Sequence, residues 1–248
     1  MKDIRESLKA ISSENALDVA TGDGIFIRLL MKTIKDFESF TGIDISPKNL
    51  ERASRLNKRA VAKFNKMDGR DLDFPDDLFD LVSISESLHH IENPHLVLKE
   101  IYRVLQPNGY FVLQESISDE NQEKSRVSDV LLHDFISGND VLRGLFHRGF
   151  FKQQDIIQMV RESGFIDINA FFSRISLKCD LCKYLEDCTD SMSKKNINKG
   201  LREVTRSLKH VKAYSQYFDI KKEASKLRKI IRQNGYSPAS VVFIIAQK

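Results

Sequence analysis

The sequence predicts an α/β protein in which a mostly parallel sheet carries helices on both faces. Two observations predict it. Short apolar runs of strand character alternate with stretches whose apolar residues recur at helical spacing, the pattern that parallel strands and crossover helices impose. The first of those runs leads straight into a small-residue turn with two glycines, "ALDVATGDGIF" (16–26).

The opening "MKDIRESLKAI" is polar and helix-like, without the apolar centre of a signal peptide. Strands are expected at "ALDVA" (16–20), "SFTGID" (39–44), "AVAKFNKMD" (60–68), "FDLVSIS" (79–85) and "GYFVLQE" (109–115). Between them, "IFIRLLMKTIK", "SPKNLERASRLNKR" and "PHLVLKEIYRVL" read as helices, the last two with Ser or Pro starts. Then come "VSDVLLHDFISGNDVLRGLF" (127–146), "QDIIQMVRESGF" (154–165), a long strand "IDINAFFSRISLK" (166–178), a charged helical stretch, and a final strand within "SPASVVFIIAQK" (237–248).

With 248 residues, 41% hydrophobic and 30% charged, the chain is expected to form one elaborated domain, 1–248. No apolar run approaches the roughly 18 residues that a membrane span needs, so a cytoplasmic protein with no membrane partner is expected. Three cysteines crowded into one segment do not suggest a disulfide framework.

The glycine turn narrows the ligand. A dinucleotide fold needs a third glycine for close approach to the pyrophosphate, and an acid about 20 residues on for the ribose. Asp44 supplies the acid, but Ile27 stands where the third glycine would fall. A ligand with a ribose and no pyrophosphate, such as S-adenosylmethionine, fits better.

Four ordered stretches, "DVATGDG", "TGIDIS", "MDGRDLDFPDDLFDLVSISESLHHIENP" and "LKEIYRVLQPNGYFVLQE", together resemble the class I S-adenosylmethionine-dependent methyltransferases. The similarity is greatest to the small-molecule branch that includes the ubiquinone and menaquinone biosynthesis enzymes. It runs from about Ala16 to Glu115 and continues more weakly through "HRGFFKQQDIIQMVRESGF". The resemblance implies a Rossmann-like sheet of seven strands with an antiparallel C-terminal strand, S-adenosylmethionine as cofactor, and methylation of a small-molecule acceptor. It also implies the roles of individual residues. Asp18 helps hold the methionine amino group, and the backbone at Ala20, Gly22 and Gly24 lines the methionine and sulfonium. Asp44 accepts the ribose hydroxyls, Ile45 packs against adenine, and Asp68 and the backbone of Gly69 read the adenine edge. Ser85 and Glu86 border the point where the methyl group meets the acceptor. Ala20 replaces the family's usual first glycine, and "QPNG" replaces its "KPGG" turn, where Asn108 suits a positive φ.

Methyl transfer from a sulfonium is an in-line displacement that needs orientation and desolvation more than acid or base. If a proton must leave the acceptor, the catalytic candidates are His89, His90 and Glu86 after the fourth strand, with His133 and His147 in the cover. Two insertions are expected over the site. The segment 116–151 is read as a lid, rich in Leu131, Leu132, Phe135, Leu142, Leu145, Phe146, Phe150 and Phe151, with "SGND" as the break at which it bends. The segment 179–235 is a basic helical insertion, with 15 Lys and Arg against 7 Asp and Glu between Lys178 and Arg232. That charge leaves open an RNA methyltransferase as an alternative to small-molecule methylation, and a non-catalytic S-adenosylmethionine-binding protein is a second alternative, which an occluded acceptor site would mark. No metal is expected: Cys179, Cys182 and Cys188 are spaced C-x2-C-x5-C without a local fourth ligand.

Overall fold

A computed structural model describes residues 4–58, 61–119, 121–173 and 190–248. Seven strands form one sheet: β1 (Ser12–Val19), β2 (Asp36–Asp44), β3 (Ala62–Lys66), β4 (Phe79–Ser85), β5 (Leu105–Ser116), β6 (Ile166–Ser173) and β7 (Val241–Gln247). Their order is β3-β2-β1-β4-β5-β7-β6. The first five pair in parallel, and β7 runs antiparallel to β5 and β6. The helices are α1 (Ile4–Leu8), α2 (Ile25–Thr33), α3 (Pro47–Leu56), α4 (Pro94–Val104), α5 (Lys124–Leu142), α6 (Gln153–Glu162), α7 (Lys194–His210) and α8 (Tyr217–Asn234). This is the mostly parallel, seven-strand Rossmann-like sheet that the sequence implied.

Successive strand residues point to opposite faces, so the sheet feeds two cores. Leu17 and Val19 of β1 join Val82, Ile84, Val97, Ile101, Ile156 and Val160 on the side of α4 and α6. Ala16 of β1, Leu81 and Phe243 join Leu8, Phe26, Ile27 and Leu30 on the side of α1 and α2. β1 begins four residues before the expected Ala16. Its early part is polar and is held by Asp80 of β4, whose carboxylate accepts from the Ser13 hydroxyl and from the backbone N–H groups of Glu14 (2.7 Å) and Asn15 (3.2 Å). Apolar periodicity carries no trace of such a strand. The "QPNG" turn is as expected, with Asn108 at φ 63.

A third core holds the helical part together. Leu132 of α5 packs with Val204 and Leu208 of α7 and with Ile220, Ala224, Leu227 and Ile231 of α8, while Arg202, Arg206, Lys209, Lys222 and Lys226 stay exposed. The two insertions therefore meet in one three-helix cap. Tyr236 ties it to the sheet: its hydroxyl donates to Asp129 of α5 at 2.6 Å, and the other oxygen of Asp129 accepts from the Ala239 N–H at 2.8 Å. Burial pushes the Asp129 carboxyl above its ordinary pKa, against the pull of the Tyr236 and Ala239 hydrogen bonds.

The expected "SGND" break does not exist. α5 runs through it unbroken for 19 residues. Ser137 folds its hydroxyl back onto the Asp134 carbonyl at 3.0 Å, and Asn139 donates to Ser207 of α7 at 2.8 Å. Turn-forming residues that find tertiary partners leave the helix intact, because packing overrides local propensity.

Candidate functional site

A cavity of about 650 Å³ opens at the C-terminal ends of β1, β2 and β4. The turn after β1 forms its floor. Ala20, Gly22 and Gly24 all take positive φ, at 53°, 56° and 72°. A Cβ on Gly24 would lie 2.5 Å from Asn57 Nδ2 of the residue capping α3, so this glycine lets two helix ends meet. A Cβ on Gly22 would meet nothing within 4 Å, because it would stand in the space of the cavity. Gly24 does not line the cavity, and Asp18 does not either. Asp18 is only 1% exposed and accepts from Thr21 Oγ1 (2.6 Å) and Ser83 Oγ (2.7 Å), so it braces the turn from beneath.

Asp44 ends β2 at the cavity wall. One oxygen accepts from the Gly22 N–H (2.9 Å), the other from the Ser46 N–H (2.8 Å). Asn49 Nδ2 reaches the oxygen shared with Ser46 at 3.4 Å, a long contact that a closer hydroxyl can displace, so the carboxylate can also take a pair of vicinal hydroxyls. Beside it Ile45 is 66% exposed, a bare apolar shelf over the same space. Opposite, Asp68 and Gly69 line the cavity, and a Cβ on Gly69 would press to 2.7 Å of Val19. Asp68 is held by Arg70 through Nε (3.1 Å) and Nη2 (2.7 Å), which lowers its pKa. Arg70, Ser87 and Phe26 also line the cavity. They were not singled out in the sequence, since none belongs to a motif that binding chemistry would require.

Ser85 and Glu86 form the wall after β4, with Glu86 at φ 49°. Glu86 is turned onto β5, accepting from Gln114 Nε2 (2.9 Å) and Ser116 Oγ (2.7 Å). His90 reaches the cavity; His89 does not. His89 is 4% exposed, with Nδ1 2.6 Å from Glu115 Oε1. His90 keeps an edge open to the cavity while its ring lies against those of His89 and His147, each 4.2 Å away between centroids. The rings packed on it take water from its inner face, and that desolvation, with the neighbouring imidazoles, lowers its pKa to about 3 although the residue as a whole stays exposed. His133 is lowered to about 2 for the same reasons.

The acceptor side is narrower than the eight lid residues suggested. Only Leu145 and Phe146 of that set line the cavity, about half exposed. Leu132 and Phe135 belong to the cap core, Phe151 to the sheet core, and Phe150 stacks on His133 at 3.7 Å. Cys179, Cys182 and Cys188, with the end of the expected strand 166–178, fall in 174–189, outside the described residues. No helix among the described residues is long and apolar enough to cross a membrane.

Comparison with known proteins gives the class. The family described as "Methyltransferase domain" matches residues 17–113. The chain is 30% identical over 182 residues to the ubiquinone/menaquinone biosynthesis C-methyltransferase UbiE of Rickettsia bellii, covering 63% of this chain and 70% of that protein. To the demethylmenaquinone methyltransferase of Thermotoga maritima it is 28% identical, over 66% of this chain and 75% of the relative. Among solved structures, the YcgJ protein of Bacillus subtilis superposes with a TM-score of 0.57 at 17% identity, covering 99% of this chain and 96% of that one. The phosphoethanolamine N-methyltransferase 2 of Haemonchus contortus, in complex with S-adenosyl-L-methionine, superposes at 0.55 and 17% identity over 98% of this chain and 50% of the other.

The chain belongs to the class I S-adenosylmethionine-dependent methyltransferases, in the small-molecule branch that contains these quinone-biosynthesis enzymes. S-adenosylmethionine is its cofactor. The cavity has the features such a molecule needs: room above the Gly22 backbone, a carboxylate at Asp44 and an exposed apolar side chain at Ile45.

Proposed function

We propose that the chain methylates a small aromatic acceptor of the hydroquinone class. The observation that carries it is the mixed lining of the cavity, in which apolar Ile91, Val97, Leu145 and Phe146 accompany the polar groups at Gly22, Asp44, Asp68 and Glu86 and the imidazole of His90. A flat apolar ring with an oxygen or two suits such a lining. The relatives named for ubiquinone and menaquinone biosynthesis, demethylmenaquinone and 2-methyl-6-phytyl-1,4-hydroquinone act in the same chemistry.

When bound, S-adenosylmethionine supplies an activated methyl group. The protein then has to position and dry the acceptor. Asp44 and Ile45 fix the cofactor's ribose and base, Leu145 and Phe146 keep water from the acceptor side, and His90 offers a hydrogen bond to an acceptor oxygen. A group with a pKa of about 3 is a weak base at neutral pH, so orientation and desolvation carry more of the rate than proton removal by His90 itself. The test is transfer of labelled methyl from S-adenosylmethionine to a panel of prenylated and unprenylated hydroquinones, with small amines and carboxylic acids as controls. Label in the hydroquinones alone supports the proposal; label in the controls alone overturns it.

A further inference from the structure

We propose that His89, His90, His133 and His147 form a binding site for a divalent transition metal of zinc's class at the wall of the cavity. The four rings come from separated parts of the chain. His89 and His90 follow β4, His133 lies on α5, and His147 in the connection after it. One ring nitrogen from each of His89, His90 and His147 lies within 4.8 Å of the others. His133 Nε2 stands 3.0 Å from His147 Nε2.

Two of the rings are oriented as metal-bound imidazoles are. Nδ1 of His89 is fixed by Glu115 (2.6 Å) and Nδ1 of His147 by Asp140 (2.9 Å). A carboxylate on one ring nitrogen sets the tautomer and makes the other the ligating atom. The backbone holds the arrangement too, since the Arg148 N–H donates to the His89 carbonyl at 3.1 Å.

If His147 donates Nδ1–H to Asp140, its Nε2 carries a lone pair, and the group that faces it is His133 Nε2 at 3.0 Å. A cation between the two Nε2 atoms replaces the proton they would otherwise share. With metal–nitrogen bonds of about 2.0–2.1 Å, a tetrahedral edge is about 3.3 Å, a small opening from the observed separation. An all-imidazole donor set favours zinc and its first-row neighbours over magnesium or calcium.

Phe150, stacked on His133 and edge-on to His89, closes the cluster on one side. His90 opens it to the cavity on another. Four imidazoles complete a tetrahedral site, so the metal fixes this wall of the cavity, and its binding does not depend on the methyl-transfer proposal.

The test uses the full chain with Cys179, Cys182 and Cys188 changed to Ser, so that thiolates cannot contribute. After chelation, zinc is titrated by calorimetry and cobalt(II) by visible absorption, and S-adenosylhomocysteine binding is measured in the same samples. The expected result is one zinc per chain, and intense tetrahedral cobalt bands. Zinc affinity should fall at least about 100-fold in His133→Ala and in His147→Ala, and about 10–100-fold in Glu115→Gln. S-adenosylhomocysteine should bind each variant, which shows that it is folded. Failure to bind stoichiometric zinc while S-adenosylhomocysteine still binds would overturn the site, as would zinc affinity unchanged in both His133→Ala and His147→Ala. Because zinc and S-adenosylhomocysteine are scored separately, the metal site and the cofactor site can fail independently.

Discussion

The cofactor side of the cavity and the cap above it are made from different material. Around β1 and β2 the shape is set by backbone: three left-handed residues in five positions, and a carboxylate, Asp44, gripping two N–H groups. In the cap it is set by interchangeable apolar side chains of α5, α7 and α8. Backbone geometry leaves few residue choices, whereas apolar packing leaves many. The first region should therefore be brittle toward single substitutions and the second tolerant, except at its few buried polar contacts.

The largest effect is expected at Asp44. With Asp44 proposed as the acceptor for the ribose hydroxyls, Asp44→Ala should weaken S-adenosylhomocysteine binding by about 2–3 kcal/mol, roughly 30–150-fold. Calorimetry on the folded variant checks it, and unchanged affinity would remove Asp44 from the cofactor site. Gly24→Ala comes next. It forces a side chain into left-handed backbone and onto Asn57, and should cost about 2 kcal/mol of unfolding free energy in urea.

Tyr236→Phe probes the cap at its polar exception. Losing the hydroxyl on Asp129 should destabilise the protein by about 1–2 kcal/mol without changing affinity for S-adenosylhomocysteine. The pH dependence has a definite sign. Asp129 has a raised folded pKa, so its contribution to stability is present below the ordinary carboxyl value and is lost as pH rises through the folded value. The Tyr236 hydrogen bond opposes that rise, so its removal lifts the folded pKa further. The cost of the mutation should then grow from acid to neutral pH, and equal costs at both would break the link. The smallest effect has the opposite direction: Gly138→Ala in α5 meets nothing within 4 Å and should stabilise the cap by about 0.5–1 kcal/mol. Gly24 and Gly138 together test the contrast with one chemical change.

Legibility in the sequence follows the same division. β1, β2, β4 and β5 are short apolar runs, and the glycine turn at Gly22 and the acids Asp44 and Asp68 follow strand ends at a spacing that a sequence displays, so both could be read from one chain. The polar start of β1 could not, because Asp80 holds it from another strand. Nor could the unbroken α5, where the meaning of "SGND" depends on Ser207 being within reach of Asn139. His133 and His147 stood out as single residues, but nothing in their spacing announced that they would meet His89 and His90.

The place of β7 has a consequence for how the chain acquires its shape. β6 pairs with β7 alone among the described strands, and β7 separates it from β5. During synthesis β5 therefore waits with one edge unpaired, and β6 has no sheet to join, while the whole cap is being made. Arrival of residues 241–247 closes both edges at once, and the Ser240 N–H docks on Gln122 just ahead of α5. Until that moment the nascent protein presents the open edge of the long central strand β5, the kind of surface on which neighbouring chains pair with one another, and β7 is the strand that covers it.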